Sequence, residues 1–496
     1  MKKKKNIFIM IGIIATYIFG IIGFYQSYSH SILDCLYATT ALFAMSLMVS
    51  VEQINTYIEI ARWLAIFISA NIVIIVIQSL YVKYQDYRRL QNNNLIILHG
   101  NSPIIPKLDT NIKNSTVMNH AILWKAKQHI FAFRTNNEMF QYLFDHQKYF
   151  QEDHQFYLIT DSLRRGSYEK QHIILCNIAE NCARLYWKQY PLEFNEKIIV
   201  ILGFGSYGKE LLNQALLFNV LDTHSQIQYH IFNDGTEYLS RHYQLKQCLS
   251  IQKISLSCDS LIFYHDSWQN HQDILSKADR IILVEEEDEK NLHLLNEIQK
   301  YFVVKRIDIK YLYPDIIDYL WGKHLYVFGD EKQLLSEDVI MNESTLHDAM
   351  KIHAHYFQQY ICQKDCHKTC LTCQTFLNDW SHLNSFVRYS NIAQADHSIN
   401  KIRILQHRMK DLTISLMDYY KQLTDEQLCE LEEIEHIRWC RYHYLHNWQY
   451  DTKRDNDKRK HPLLVDYHEL SEFEKRKDRQ PWEDAILNYE NNLQKK

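Results

Sequence analysis

Glycine and proline are scarce in this chain, with 11 and 6 among 496 residues, so any cluster of glycines is informative. The chain also lacks a large excess of charge of one sign, since 55 Lys and Arg residues nearly balance 59 Asp and Glu residues and the net charge is −4. This balance excludes a global electrostatic attraction to nucleic acid, and we expect no direct nucleic-acid partner. The 11 cysteines lie in no secretory pattern, which favours free thiols or a metal site over a disulfide framework.

Long apolar runs are confined to the first 90 residues, although 46% of the chain is hydrophobic. The uncharged run 7–25 spans about 28 Å as a helix, enough to cross a bilayer core. It is long for a signal peptide, and no small-residue cleavage site follows it. A second run, 61–82, carries only Arg62 near its start. We therefore predict two membrane spans within a transmembrane region 1–90.

The segment 31–49 lies between the two spans and is apolar with a few polar residues. Basic residues precede the first span and follow the second, so the positive-inside rule puts both flanks in the cytoplasm and makes the number of crossings even. The segment is then re-entrant or interfacial, which is the plan of a two-helix ion-channel subunit. A simple membrane anchor with an amphipathic connector stays open, and no TVGYG filter supports carbonyl-ring selectivity. The pore-like candidates are Asp34, Tyr37, Thr39 and Thr40.

From residue 93 onward, short apolar runs alternate with helical patterns, which is typical of an α/β fold. The basic residues after the second span predict that these lobes lie in the cytoplasm. The first lobe, 93–192, contains the strand-like runs LIILHG and QFYLITDS but no glycine fingerprint. It is interpreted as a nucleotide-fold half without a phosphate loop. The second lobe is predicted at 195–335.

The second lobe opens with KIIVILGFGSYGKELLNQALL at 197–217, where a strand pattern leads through three glycines into a helix pattern. In a dinucleotide-binding loop the first glycine makes the turn, the second admits the pyrophosphate and the third lets helix and strand pack. A polar pair ends the next strand, where an acid would hold a ribose hydroxyl. The acidic run in RIILVEEEDEKN (280–291) is interpreted as a solvated strand end rather than a metal site. The candidate site for NAD or another nucleotide comprises Gly203, Gly205, Gly208, Asn233 and Asp234.

The order of membrane helices, linker and paired lobes resembles the RCK, or TrkA-N, arrangement, with GFGSYG as its sequence signature. The resemblance implies two Rossmann-like lobes whose ligand binding is coupled to a membrane pore, in a homo-oligomer. A degenerate lobe kept as a scaffold stays open. No dehydrogenase catalytic pattern follows the fingerprint, so an NAD-dependent oxidoreductase is the less favoured alternative.

A helical region is predicted at 336–424, and it contains the cysteine-rich stretch ICQKDCHKTCLTC. Four thiolates there could bind zinc in a tetrahedral site if the chain bends. An inert or redox-labile helical hairpin tip and an iron–sulfur loop are the alternatives. The candidate metal ligands are Cys362, Cys366, Cys370 and Cys373.

The C-terminal region 425–490 begins with the helical stretch LEEIEHIRWCRYHYLHNW (431–448), which holds an acid, a base and a cation close together. On one helix His436 and Arg438 point roughly 200° apart and cannot act on one atom, so no catalytic residue is predicted. The spacing predicts Trp439 inward and Arg438 available to a ligand. After a charged break at 451–460, Ser471 and Glu474 form a capping box for a second helix.

This region resembles the RyR domain, the repeat of ryanodine receptors that also occurs in bacterial membrane proteins with nucleotide lobes. Asn447 replaces the usual glycine before the second Trp, and Asn tolerates positive φ. The matching residues are Glu435, His436, Trp439, Trp448, Tyr450, Asp457, Lys460, His461, Pro462, Leu464, Leu470, Ser471, Glu474, Lys475, Asp478 and Arg479.

The RyR resemblance implies a small ligand-sensing module, in settings linked to antiviral defence. Aromatic rings could stack a base and basic side chains could hold phosphates. The sequence therefore predicts a ligand-gated, ion-channel-like effector in the inner (cytoplasmic) membrane that senses a nucleotide-derived ligand. A membrane scaffold without catalysis stays open. The candidate ligand-binding residues are Arg438, Trp439, Trp448, Lys460, His461 and Arg479.

Overall fold

The computed structural model describes residues 2–151, 153–160, 173–301, 303, 305–321, 325–341, 343–360, 371, 373–409 and 413–493. The chain forms two compact units, of which the first comprises 1–95 with 118–126 and the second comprises 96–117 with 127–496.

Among its described residues, the first unit contains three α-helices, α1 (Lys2–Ser27), α2 (Ile32–Phe43) and α3 (Thr56–Arg89). By length and composition, α1 and α3 could each cross a membrane, which agrees with the two predicted spans. The 12 residues of α2 extend about 18 Å, too short for a hydrocarbon core of about 30 Å. This length is compatible with the predicted re-entrant or interfacial segment, and it does not distinguish the two.

Helices α1 and α3 run antiparallel, because Gly12 faces Ile68 and Gly23 faces Ile58. Gly20 lies against Thr39 of α2, where a Cβ would clash, so small residues let the helices approach closely. Antiparallel packing brings the start of α1 and the end of α3 to the same end of this unit, as an even number of crossings requires.

The first lobe is a parallel five-stranded sheet in the order β2-β1-β3-β4-β5, a doubly wound order. Isoleucine and leucine side chains fill its core, with Leu98 and Ile130 fully buried. Its elements are β1 (Ile96–His99), α4 (Ile105–Asn111), β2 (Ser115–Val117), β3 (Gln128–Phe131), α5 (Asn136–His146), β4 (Gln155–Thr160), β5 (Ile173–Asn177) and α6 (Ile178–Gln189).

The second lobe is a parallel seven-stranded sheet in the order β12-β11-β10-β6-β7-β9-β8. Apart from the short edge strand β8, this is the doubly wound order 3-2-1-4-5-6. The predicted α/β class with parallel sheets is confirmed. The elements are β6 (Ile198–Leu202), α7 (Ser206–Phe218), β7 (Gln228–Phe232), α8 (Thr236–Arg241), β8 (Ser250–Ile251), β9 (Ser260–Tyr264), α9 (Gln272–Lys277), β10 (Arg280–Leu283), α10 (Asp288–Tyr301), β11 (Ile307–Lys310), α11 (Pro314–Trp321), β12 (Tyr326–Phe328) and α12 (Glu331–Leu334).

The C-terminal part is helical, as predicted, and its longest helices α16, α18 and α19 pack against one another. Leu431, Ile434 and Trp482 are buried in their shared core. The elements are α13 (Glu337–Met341), α14 (Glu343–Tyr360), α15 (Gln374–His382), α16 (Ser385–Arg408), α17 (Leu416–Tyr420), α18 (Asp425–Leu445), β13 (Gln449–Tyr450), β14 (Lys460–His461) and α19 (Glu472–Leu493).

The predicted zinc site falls mostly outside the described residues, since Cys362, Cys366 and Cys370 lie there. Cys373 is described, and it is a partly exposed residue that directly precedes the first turn of α15. Within the described part of the chain, no group of three or more His, Cys, Asp or Glu side chains is placed to hold a metal ion.

Candidate functional site

The glycine loop of the second lobe has the geometry that its spacing predicts. Gly203 has φ +98°, and a Cβ there would press on the backbone of Val284 and Glu285. A Cβ on Gly208 would clash with the carbonyl oxygen of Gly203. These two glycines therefore make the turn after β6 and let α7 pack closely on the loop.

Glu286, from the loop after β10, occupies the start of α7. Its Oε1 accepts hydrogen bonds from the backbone N–H groups of Ser206 and of Tyr207, the latter at 3.4 Å. A Cβ on Gly205 would clash with this carboxylate oxygen. Gly205 thus makes room for an anion that the chain itself supplies, at the helix end where a phosphate would be bound.

Buried polar side chains fix the backbone around Glu286. The Asn291 amide, fully buried, accepts from Glu285 N–H (2.8 Å) and donates to Glu285 O (3.2 Å). Lys310 donates to Glu286 O (3.3 Å) and pairs with Asp288 (2.8 Å). The acidic run is therefore not simply a solvated strand end, because two of its carboxylates have structural partners.

Asn233 and Asp234 follow β7, which lies beside β6, so both stand at the same sheet edge as the glycine loop. Asn233 Oδ1 accepts from Gly235 N–H (3.1 Å), and Asp234 Oδ1 accepts from Thr236 N–H (2.5 Å). The hydrogen bond from Thr236 lowers the pKa of Asp234. Both side chains shape the turn into α8, and Asp234 remains exposed at the sheet edge.

The sequence indicated that Arg438 of α18 is available to a ligand, but the structure buries this side chain. It is 1% exposed and donates to Glu435 Oε1 from Nε (3.0 Å) and Nη2 (2.8 Å). Glu435 also pairs with Lys401 of α16 (2.8 Å), while His397 Nδ1 lies 3.7 Å from the same carboxylate. Burial alone would raise the pKa of Glu435, but Arg438 and Lys401 hold it well below its usual range. Arg438 is outward on a helical wheel, yet α16 covers that face.

Trp439 and His461 are brought together, with ring centroids 5.0 Å apart, and Trp448 lies 6.2 Å from His461. Trp439 is partly exposed, whereas Trp448 is 5% exposed and stacks on Phe386 at 4.9 Å. Burial lowers the pKa of His461 to about 4, so its imidazole is neutral at pH 7. This cluster is largely a packed aromatic core.

The two remaining predicted ligand residues have partners of their own. Lys460 pairs with Asp451 at 2.6 Å, and Arg479 donates to Glu432 at 2.5 Å. Asn447 has φ +60°, as its substitution for glycine predicted. Its amide donates to Arg241 O (2.7 Å) and so joins the end of α18 to the second lobe.

Buried ion pairs also join the C-terminal helices to the two lobes. Arg441 of α18 pairs with Asp259 before β9 at 2.8 Å, with the two side chains 4% and 0% exposed. Arg184 of α6 makes two hydrogen bonds with Asp396 of α16, at 2.6 and 3.0 Å. Tyr442 of α18 belongs to the same apolar core as α6 and α7. The C-terminal helices and the lobes are thus one packed body.

A cavity of about 480 Å³ opens within this body, between α6, α7, α16, the end of α18 and the segment 447–459. Such a volume lies in the range of small-molecule sites. The sequence prediction included Trp448 of this lining, but it missed Phe386, Tyr389 and Arg454. No motif marks those three residues, because they converge only through tertiary packing. The lining includes Arg184, Phe386, Tyr389, Trp448, Arg454 and Arg459.

Residues 412–489 match the family model of the RyR domain, which confirms the RyR-domain prediction for this part of the chain. No curated protein and no solved structure matches the chain.

Proposed function

We propose that the chain is a ligand-gated membrane effector, in which the RyR domain and the second lobe together bind a nucleotide-derived ligand. Binding alters the membrane helices, whose plan of two spans and a short middle helix is that of a channel-like subunit. The proposal places the protein in the inner membrane as a multi-pass homo-oligomer, with its soluble domains in the cytoplasm. Cyclic symmetry around a pore follows from this proposal.

The observation that carries the proposal is the buried Arg441–Asp259 pair, which joins the RyR domain to the second lobe. Breaking a buried ion pair leaves an uncompensated charge, so the two parts move together rather than independently. A ligand bound at their junction therefore acts on both. Coupling of this kind requires only that the ligand bind one arrangement of the body better than another.

The alternative, an NAD-dependent oxidoreductase, is less well supported. The carboxylate of Glu286 already accepts from the first N–H groups of α7, the donors that a pyrophosphate would need. Binding of NAD at this loop has to displace that carboxylate. A nucleotide cofactor at the loop, and zinc at the cysteine-rich stretch, remain predictions from the sequence.

Ion flux from liposomes that contain the full chain tests the proposed function. AMP, ADP, ATP and NAD are added in turn, and flux that appears with one nucleotide and is absent without it supports the effector. Absence of flux with a nucleotide that calorimetry shows to bind would overturn gating. NADH consumption is followed in parallel, and turnover that a Gly205→Leu substitution abolishes would favour the oxidoreductase instead.

A further inference from the structure

We infer that the cavity between α6, α7, α16, the end of α18 and the segment 447–459 is the ligand site, and that its ligand is a nucleotide held by Arg454 and Arg459. This inference rests on the proposed function and gives that function a location. It differs from the sequence prediction, of whose six residues only Trp448 lines this cavity. The predicted residues were Arg438, Trp439, Trp448, Lys460, His461 and Arg479.

The arginines of the cavity differ in how they are neutralised. Arg184 is buried and bound to Asp396, and Arg241 pairs with Glu237 at 2.6 Å. Arg454 and Arg459 make no ion pair with any residue that the structure describes, and both are exposed at the cavity. Guanidinium groups without a carboxylate partner are the groups that bind phosphate by paired hydrogen bonds.

Both guanidinium groups are nevertheless oriented by neutral acceptors. Arg459 Nη1 donates to His446 O (2.9 Å), and Arg454 Nε donates to Asn456 Oδ1 (2.9 Å). Each contact uses one N–H and leaves the positive charge unneutralised. The two arginines are thus held beside the cavity at little cost to their affinity for an anion.

The backbone of Arg459 is in an unfavourable conformation, with φ +53°. A residue with a Cβ pays for this left-handed geometry, and such strain persists where the surroundings impose it. Here Arg459 O accepts from Gln449 N–H (2.9 Å), beside the equally left-handed Asn447. This hydrogen bond fixes the backbone of Arg459, whose side chain lines the cavity.

The α16 side of the cavity suits a planar ring. Phe386 and Tyr389 are half-buried there, and Trp448 stacks behind Phe386 at 4.9 Å. A nucleobase can stack on aromatic side chains without regard to its identity. Glu180 and Glu210 line the α6 and α7 side, where their carboxylates suit ribose hydroxyls or a base amino group and disfavour a second phosphate. The arrangement fits a nucleotide with its phosphate at the arginine segment.

Titration calorimetry on the full chain in mild detergent tests the inference, with ATP, ADP, AMP, adenosine and inorganic pyrophosphate as probes. The variants are Arg454→Ala/Arg459→Ala and Arg459→Lys. The control is Lys458→Ala, which removes an exposed cation from the same segment but outside the cavity lining. We expect the double variant to weaken binding of the phosphate-bearing probes by about 10- to 100-fold. The affinity of Arg459→Lys for these probes should lie between those of the wild type and the double variant. The affinity of Lys458→Ala should stay within about twofold of the wild-type value.

The aromatic side is tested with Phe386→Leu, whose fold is checked by its thermal midpoint. We expect this variant to weaken AMP binding while pyrophosphate binding is retained. Equal losses of affinity for AMP and pyrophosphate, or no loss for either, would overturn the placement of the base.

The outcomes separate this inference from the proposed function. Nucleotide binding that survives in the double variant overturns the site and leaves a nucleotide-gated effector standing. Binding that is lost in the double variant, in a protein that shows no flux with the same nucleotide, supports the site and overturns gating. If the wild-type chain binds none of the five probes, the ligand class is wrong.

Discussion

Glu286 Oε1 accepts a hydrogen bond from the backbone N–H of Ser206, across 80 residues of chain. The helix N-terminus that follows a glycine-rich loop normally attracts a phosphate through its N–H groups and its dipole. Here a carboxylate of the same chain satisfies that end of α7. The glycine fingerprint is therefore compatible with an internal anion as well as with a cofactor, and spacing alone does not distinguish them.

Replacing Glu286 by Ala should lower the stability of the second lobe by about 1 kcal/mol, because the first N–H groups of α7 lose their acceptor. Glu286→Gln should cost less, since the amide oxygen can still accept. Thermal midpoints of the full chain provide the measurement. Glu287→Ala is the matched control, because Glu287 pairs with the nearby Lys290 at the surface.

The same substitution tests the loop as a cofactor site. If a nucleotide competes with the carboxylate, Glu286→Ala should bind NAD more tightly than the wild-type chain does, and Glu287→Ala should not. The wild-type chain could instead bind NAD tightly, with an affinity that Glu286→Ala leaves unchanged. That result would show that the carboxylate does not compete with NAD at the loop.

Glu435 is buried with Arg438 and Lys401. Removing its charge therefore leaves two buried cations without their carboxylate partner. Glu435→Gln should destabilise the C-terminal helices by about 3–5 kcal/mol. Thermal unfolding followed by circular dichroism measures this cost. In the control Glu430→Ala, a surface pair with Arg408 at 3.0 Å is lost, and the cost should stay below about 1 kcal/mol.

The double variant Glu435→Gln/Lys401→Met distinguishes a charge effect from a packing effect. It removes one of the stranded cations and should be more stable than Glu435→Gln alone. If the double variant is no more stable than the single one, the network stabilises the protein through packing rather than through charge.

Features encoded within one segment were predictable from the sequence. The two apolar helices, the turn at Gly203 and the positive φ of Asn447 each follow from local residue chemistry. The RyR domain followed from residues spaced over a single stretch. Contacts between distant segments were not predictable in this way.

Arg438 shows why. Its position on the helical wheel indicates solvent, and only the packing of α16 against α18 brings Lys401 beside Glu435. Helix α18 is covered on more than one face, so its pattern contains no clear polar side. The cavity and the role of Glu286 depend in the same way on residues that are far apart in the chain.

Acid should weaken the contact between α6 and α16. Burial alone would raise the pKa of Asp396, but Arg184 and Lys188 lower it to about 2, below its ordinary value near 3.8. A lowered pKa contributes stability above the unfolded value, and this contribution disappears as the pH falls from about 4 toward 2. Asp396→Asn should therefore be less stable than wild type at pH 7, and the difference should shrink below pH 4.

Urea midpoints at several pH values measure this effect, with Asp418→Asn as an exposed control. The control should follow the wild-type curve throughout. A constant difference between Asp396→Asn and wild type from pH 7 to pH 3 would contradict the assignment of the stabilisation to the ionised carboxylate.

If α1 and α3 span a bilayer, their antiparallel packing predicts that the start of α1 and the end of α3 lie on the same side of it. A protease site inserted after Asn92 should be cut only from the face that also cuts a site placed before α1. A site inserted at Ser50, between α2 and α3, reports the fate of the short middle helix. If α2 does not cross the membrane, the Ser50 site should be cut only from the opposite face, in right-side-out and inverted vesicles compared side by side. Cleavage at Asn92 and before α1 from opposite faces would require a third crossing, for which the 12 residues of α2 are too short.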